Sequence, residues 1–206
     1  MPFERTYNSQ DARWGIWKIE EDESSLAMEV PSEQIPATLT NPFKRLEFLA
    51  GRVLIKSLLE SWHMAYQGLE KDVYGKPFLS GSSTHISLTH SYPYVAAVVD
   101  KRKNAGIDLE QPKDKLLGIA PRVLSPGELQ DAGHDVTKHC IYWCAKETLV
   151  KIYGKKGLTL AKNIQIEPFS VNRSGRLIGR ILATDIETAI PLAYIVDDNF
   201  VMVVSD

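Results

Sequence analysis

The chain has 206 residues, enough for one large domain or two small ones. Its hydrophobic content of 44% and charged content of 24% are typical of a globular protein with a substantial core. A net charge of −2 excludes a general attraction to nucleic acid or to an acidic membrane surface, so any anion site must be local.

The two cysteines, Cys140 and Cys144, lie one helical turn apart, a spacing poorly suited to a disulfide. So few cysteines indicate a reducing compartment. His134 and His139 are nearby, but the spacing fits no standard zinc pattern, and buried small side chains are the favoured interpretation of the cysteines. The N-terminal residues are charged, and no run approaches transmembrane length. We therefore expect a cytoplasmic protein.

A strand and a long helix are predicted in the first third of the chain. Residues 13–19 alternate in hydrophobicity, which favours a strand. Asn41 followed by Pro42 predicts the cap and first position of a helix over residues 43–63. Its basic residues fall in one stripe, either a solvated face or one wall of a phosphate site: Arg45, Arg52 and Lys56.

A loop and two strands follow this helix. Residues 73–79 form a loop rich in Gly and Pro that carries Lys76. Residues 85–91 alternate and predict a strand ending near His90, and residues 94–99 predict a more apolar strand. By itself, a single His at a strand end is more often a hydrogen-bonded structural residue than a ligand contact.

A polar turn at residues 100–104 divides the chain. The element order is similar on its two sides: a strand or loop, one long helix, then short strands. The short C-terminal runs are residues 163–169, 176–182, 189–196 and 200–204. We therefore predict an α+β fold of two similar subdomains, 1–103 and 104–206, each with a helix packed on a small antiparallel sheet.

The first strand after the divide, residues 105–110, carries two carboxylates. Asp108 and Glu110 share one face because alternate residues of a strand point the same way. Two like charges side by side are unfavourable unless a cation lies between them, although on an exposed edge they could be merely solvated. Gly106 and Ile107 favour a central strand.

A helix over residues 141–153 carries a second charged group. Ser125 and Glu128 form a capping box before it, which indicates a separate short helix. Glu147 and Lys151 lie four residues apart and project together from the side opposite the apolar stripe. They are either an ordinary solvated pair or part of a site for a metal and a phosphate.

Two blocks together resemble the 4′-phosphopantetheinyl transferases of the longer, pseudo-dimeric, surfactin synthetase activator-like type. They are Gly106-Ile-Asp-Leu-Glu110 and Trp143-Cys-Ala-Lys-Glu-Thr-Leu-Val-Lys151. Four further blocks match that family in the right order: Gly75-Lys-Pro77, Ile86-Ser-Leu-Thr-His-Ser91, Leu124-Ser-Pro-Gly-Glu128 and Gly154-Lys-Lys-Gly-Leu158. The chain departs from the family at Thr89, where a serine is common, and in the one additional residue of the turn at 154–157.

The resemblance implies that coenzyme A lies between the halves and that Mg²⁺ bridges its pyrophosphate to Asp108, Glu110 and Glu147. A serine of an apo acyl or peptidyl carrier protein would attack the β-phosphorus and release 3′,5′-ADP. Glu147 would accept the serine proton, directly or through water, and Lys151 would neutralise or protonate the leaving phosphate.

The same resemblance implies that four residues hold the phosphates of the nucleotide: Arg45, Lys76, Thr89 and His90. Coenzyme A and the carrier protein are then the expected partners of a monomer that binds neither nucleic acid nor membrane. Two alternatives stay open. One is a Mg²⁺-dependent nuclease, although no Glu-x-Lys follows Asp108 on an adjacent strand. The other is a non-catalytic module that binds coenzyme A or a carrier protein.

Overall fold

The chain divides into two units, Met1–Ala105 and Gly106–Asp206, called here the N-terminal and C-terminal units. The computed structural model describes residues 4–182 and 188–206 of the chain. None of the helices in those two ranges is long and apolar enough to cross a membrane. In each unit one long helix packs on an antiparallel sheet, which confirms the predicted α+β class.

The N-terminal unit contains a four-stranded antiparallel sheet in the order β1-β2-β6-β5 and a two-stranded sheet of β3 and β4. Every residue of the central strand β6 is buried, because the longer helix α2 covers it. The elements are β1 Arg5–Asn8, β2 Ala12–Lys18, α1 Glu23–Glu29, α2 Pro42–Glu60, β3 Leu69–Lys71, β4 Pro77–Leu79, β5 His85–Ser91 and β6 Tyr94–Asp100.

Helix α2 begins as predicted and ends earlier. The Asn41 side chain accepts the Lys44 N–H, and Pro42 occupies the first turn. The expected end at residue 63 is wrong because the chain tightens into a turn after Glu60. There the N–H groups of Trp62 and His63 bond three residues back, and His63 has a left-handed φ of 57°.

The C-terminal unit contains a five-stranded antiparallel sheet in the order β7-β11-β10-β9-β8. Its long helix α5 packs mainly on β11 and β7. The elements are β7 Ile107–Glu110, α3 Lys115–Val123, α4 Pro126–Ala132, α5 Val136–Tyr153, α6 Leu160–Asn163, β8 Ile164–Ile166, β9 Ser174–Ile181, β10 Thr188–Val196 and β11 Val201–Ser205.

Two expectations for this unit are corrected. Strand β7 lies at an edge of the sheet and not at its centre, and its first three residues are buried because α5 covers it. Helix α5 begins at Val136, five residues before the expected start, since the Asp135 side chain caps it by accepting the Lys138 N–H. Its end at Gly154, in the left-handed conformation, is as expected.

Candidate functional site

Helix α5 approaches β7 so closely that only glycine fits at position 106. A Cβ atom there would lie 2.3 Å from the Thr148 carbonyl oxygen and 2.8 Å from Ile152 Cγ1. On the same helix, the Thr148 hydroxyl donates to the Val203 carbonyl on β11 at 3.1 Å. The glycine of the Gly-Ile-Asp block thus has a packing role: it lets the charged side of α5 reach the carboxylates of β7.

Asp108 and Lys151 are brought together by this contact. Lys151 Nζ lies 2.8 Å from Asp108 Oδ1 and also donates to the Ile107 carbonyl at 2.8 Å. The Asp108 side chain is only 8% exposed, so its charge needs a counter-charge at close range. Lys151 supplies this counter-charge. The sequence analysis did not predict an ion pair between Lys151 and Asp108.

Glu147 experiences the charges of the other three residues. Burial raises the pKa of this carboxyl, the negative charges of Asp108 and Glu110 raise it further, and Lys151 opposes the shift. Of the four side chains that the sequence analysis grouped, Glu147 therefore lies within electrostatic range of the other three, Asp108, Glu110 and Lys151. Their charges fit a cation, because a cation would relieve the repulsion among the carboxylates.

The donor types also fit magnesium, which prefers carboxylate oxygens and keeps several waters. Within residues 4–182 and 188–206, however, no three or more His, Cys, Asp or Glu side chains are arranged closely enough to form a complete metal site. The structure brings the three carboxylates into one neighbourhood without forming a closed coordination shell.

Lys146, next to Glu147, belongs to a buried structural pair that sequence reasoning missed. Its side chain is fully buried, and Nζ lies 2.7 Å from Glu128 Oε2. It also donates to the Ile164 carbonyl at 2.7 Å and to the Leu160 carbonyl at 3.0 Å. Burial lowers the pKa of Lys146, and Glu128 opposes that shift. The predicted capping box of Ser125 and Glu128 is confirmed. It was the one feature of the sequence that indicated a structural role for Glu128.

The basic stripe of α2 is engaged by carboxylates of the segment just before the helix. Arg45 forms a two-point ion pair with Glu23 at 2.6 and 2.5 Å. Arg52 pairs with Glu33 at an N–O distance of 2.8 Å. Lys56 pairs with Glu29 at an N–O distance of 3.3 Å. The stripe thus holds residues 23–33 against α2, a structural role that its spacing along the helix does not reveal.

Two of the remaining expected phosphate contacts, Lys76 and His90, border different pockets of the N-terminal unit. Lys76 borders a pocket of about 210 Å³, where burial lowers its pKa and Asp72 opposes that shift. His90 borders a different pocket of about 330 Å³. Thr89 is buried in β5 and, like Arg45, lines neither pocket. Sequence reasoning also missed Glu47, a buried carboxylate beside His90.

The chain is similar to known proteins over much of its length. Residues 104–204 match the family model of the 4′-phosphopantetheinyl transferase superfamily. The 4′-phosphopantetheinyl transferase ffp of Bacillus subtilis is 31% identical over 137 residues, which cover 60% of this chain and 56% of that protein. The 4′-phosphopantetheinyl transferase psf-1 of Bacillus pumilus is 33% identical over 116 residues, covering 52% and 49%. The chain thus spans about half the length of these curated relatives.

Proposed function

We propose that this chain, whose residues 104–204 match the 4′-phosphopantetheinyl transferase superfamily, transfers 4′-phosphopantetheine from coenzyme A to a serine of an apo acyl or peptidyl carrier protein. One observation carries this proposal. The segment that matches the family contains Asp108, Glu110, Glu147 and Lys151, and these side chains interact with one another across β7 and α5.

Asp108, Glu110 and Glu147 are the residues that would hold Mg²⁺. Bound there, the ion would offset the charge of the coenzyme A pyrophosphate and polarise its phosphorus. Lys151 holds the Asp108 side chain in place and keeps a positive charge beside the cluster. That charge can also stabilise the negative charge that develops on a leaving phosphate.

In the proposed reaction the carrier serine oxygen forms a bond to the β-phosphorus of coenzyme A. The bond from that phosphorus to the bridging oxygen breaks, and its electron pair leaves with 3′,5′-ADP. The serine proton passes to the Glu147 carboxylate, directly or through water. Glu147 suits this role because it lies one helical turn from Lys151, on the side of α5 that interacts with Asp108.

For the nucleotide we propose Lys76, His90, Thr89 and Arg45 as phosphate contacts, with the protein acting as a monomer. Lys76 and His90 each border a pocket, which supports their part of the proposal. Arg45 would have to exchange its Glu23 partner for a phosphate, and the fork of a guanidinium matches both groups.

The test is to incubate the protein with apo acyl and apo peptidyl carrier proteins, coenzyme A and Mg²⁺, and to measure intact masses. We expect the phosphopantetheine mass increment on at least one carrier and an equal amount of 3′,5′-ADP. A carrier with its acceptor serine replaced by alanine is the matched control. Tight binding of coenzyme A without transfer to any carrier would instead favour the non-catalytic module.

A further inference from the structure

The pocket that His90 borders has a basic lining. Its ionisable side chains are four basic residues and two acidic ones: Lys44, Arg52, Lys71 and His90 against Glu47 and Glu70. With a volume of about 330 Å³, it has room for part of a phosphorylated ligand. Arg52 is paired with Glu33, so the basic side chains of this lining that can bind an anion are Lys44, Lys71 and His90.

Glu47 is a buried residue in the lining of this pocket, and it contacts three parts of the unit. It is 2% exposed, and its Oε2 atom lies 2.7 Å from Lys44 Nζ on the same helix and 3.2 Å from His90 Nδ1 on β5. Its Oε1 atom accepts the backbone N–H of Tyr92, in the turn after β5, at 3.0 Å. One carboxylate therefore fixes a lysine, a histidine and the turn that follows the histidine.

The two side chains beside the buried Glu47 carboxylate stabilise its charge. Burial would raise the pKa of Glu47, but His90 and Lys44 outweigh that effect and hold the pKa below its ordinary value. The two partners remain accessible, since His90 and Lys44 are 40% and 50% exposed. A lysine has three donors, and the His90 ring has a second nitrogen besides the Nδ1 atom at Glu47, so each side chain can also contact a ligand.

From this geometry we propose that Glu47 is a positioning residue that holds His90 and Lys44 together as a paired contact for one phosphate of the nucleotide. The inference rests on the proposed function and adds Glu47 and Lys44 to it. Glu47 itself does not touch the ligand. It acts through the Lys44 and His90 side chains, which would otherwise adopt many rotamers.

The test is a mutant cycle on the binding of 3′,5′-ADP, measured by calorimetry. Glu47→Gln keeps an acceptor for the Tyr92 N–H and removes the charge. We expect it to weaken binding about tenfold, as for the loss of a charge-assisted contact. In a Lys44→Met/His90→Gln background the same substitution should change binding by less than about twofold, because the groups through which it acts are gone.

If Glu47 only stabilised the fold, the binding measurements would give a different result. Glu47→Gln would then weaken binding by the same factor in both backgrounds, which would overturn the proposal, as would unchanged binding in the Glu47→Gln variant. Glu29→Gln is the control, since it removes a carboxylate paired with Lys56 on helix α2 outside the pocket. We expect it to bind as the parent does.

Two further measurements keep the test decisive. With a carrier substrate, Glu47→Gln should raise KM for coenzyme A about tenfold and leave kcat within about twofold. If Glu47→Gln does not fold, the single variants Lys44→Met and His90→Gln and the double variant form the cycle instead. If the loss of 3′,5′-ADP affinity in the double variant equals the product of the two single losses, the two residues do not share one phosphate and the proposal is overturned. Absence of both 3′,5′-ADP binding and transfer in the parent protein would overturn this inference and the proposed function together. Binding insensitive to Glu47→Gln would overturn the inference alone.

Discussion

Both long helices carry charged side chains, but the partners of these charges differ between the two helices. On α2, Arg45, Arg52 and Lys56 each pair with a carboxylate of the preceding segment, so the basic stripe fastens that segment to the helix. On α5, Glu147 faces two further carboxylates on β7, with Lys151 opposing them. In the first arrangement the charges are matched in pairs. In the second, burial and the neighbouring carboxylates together raise the pKa of Glu147.

A row of charged residues on a helix therefore indicates a binding site only when the partners of those charges are known. Where each cation is paired with a carboxylate, the pair has a structural role, and no ligand is needed to account for the cation. Carboxylates gathered in a partly buried place oppose folding unless another cation joins them, and a site that tolerates this cost is a candidate for chemistry. The following predictions test this difference.

The largest expected effect is on transfer in the Glu147→Gln variant. Removal of a general base typically slows a reaction by about 10²–10⁴-fold. Stability without metal should not fall, because the substitution removes a charge that repels Asp108 and Glu110. Transfer rates and melting temperatures in the presence of a chelator check both parts. Full activity together with a lowered melting temperature would make Glu147 a structural residue like those of α2.

The opposite result is expected for the buried pair of Lys146, the neighbour of Glu147 on α5, with Glu128 on α4. Here a substitution should lower stability and leave transfer intact. Glu128→Gln leaves the fully buried Lys146 without its carboxylate, and loss of one partner of a buried pair costs about 3–5 kcal/mol. We expect a lower free energy of unfolding in urea, with the remaining folded fraction still active. Glu128→Gln protein as stable as the parent would contradict the structural assignment of this pair.

A smaller effect is expected from pH. The pKa of Glu147 is raised above its ordinary value of 4.5, so the folded state binds the proton more tightly than the unfolded state does. The stability from this group is therefore full below 4.5 and is lost as the pH rises through the raised value. In chelator, the parent should lose stability relative to Glu147→Gln as the pH rises from 4.5. A constant difference between the two proteins would show that neither burial nor the neighbouring carboxylates raise the pKa of Glu147.

The smallest effect is expected for Glu23→Gln, which removes the partner of Arg45. Exposed ion pairs contribute little to stability, so we expect no measurable change in melting temperature. Arg45 is then free for a phosphate, and the affinity for coenzyme A should stay the same or increase slightly. A clear loss of affinity would mean that Glu23 positions Arg45 for the ligand.

Local signals in the sequence predicted local structure well. The Asn41 cap, the Ser125 capping box and the glycine end of α5 were all recognised, because each depends on neighbours within a few residues. Helix α3 was not recognised, since it has Pro121 inside it and no side-chain bond from its cap residue Asp114.

Long-range partners could not be predicted from spacing. Arg45 and Glu23 are 22 residues apart, and the Lys151 bond to Asp108 spans 43. Such pairs depend on how α2 and α5 pack, and neither the 3.6-residue nor the two-residue periodicity encodes that. The position of β7 at the sheet edge was missed for a similar reason: burial by a covering helix resembles burial in a central strand.

The central claim is that the carboxylates of β7 and α5 form a magnesium site, and a calorimetric titration with Mg²⁺ in the presence of coenzyme A tests it most directly. The parent should bind one Mg²⁺ per chain, and Asp108→Asn should weaken that binding by at least about tenfold, as expected for the loss of one charged ligand. Glu29→Gln, which removes a carboxylate of the balanced α2 pairs, should bind Mg²⁺ as the parent does. Equal Mg²⁺ affinity in the parent and in Asp108→Asn would contradict the claim.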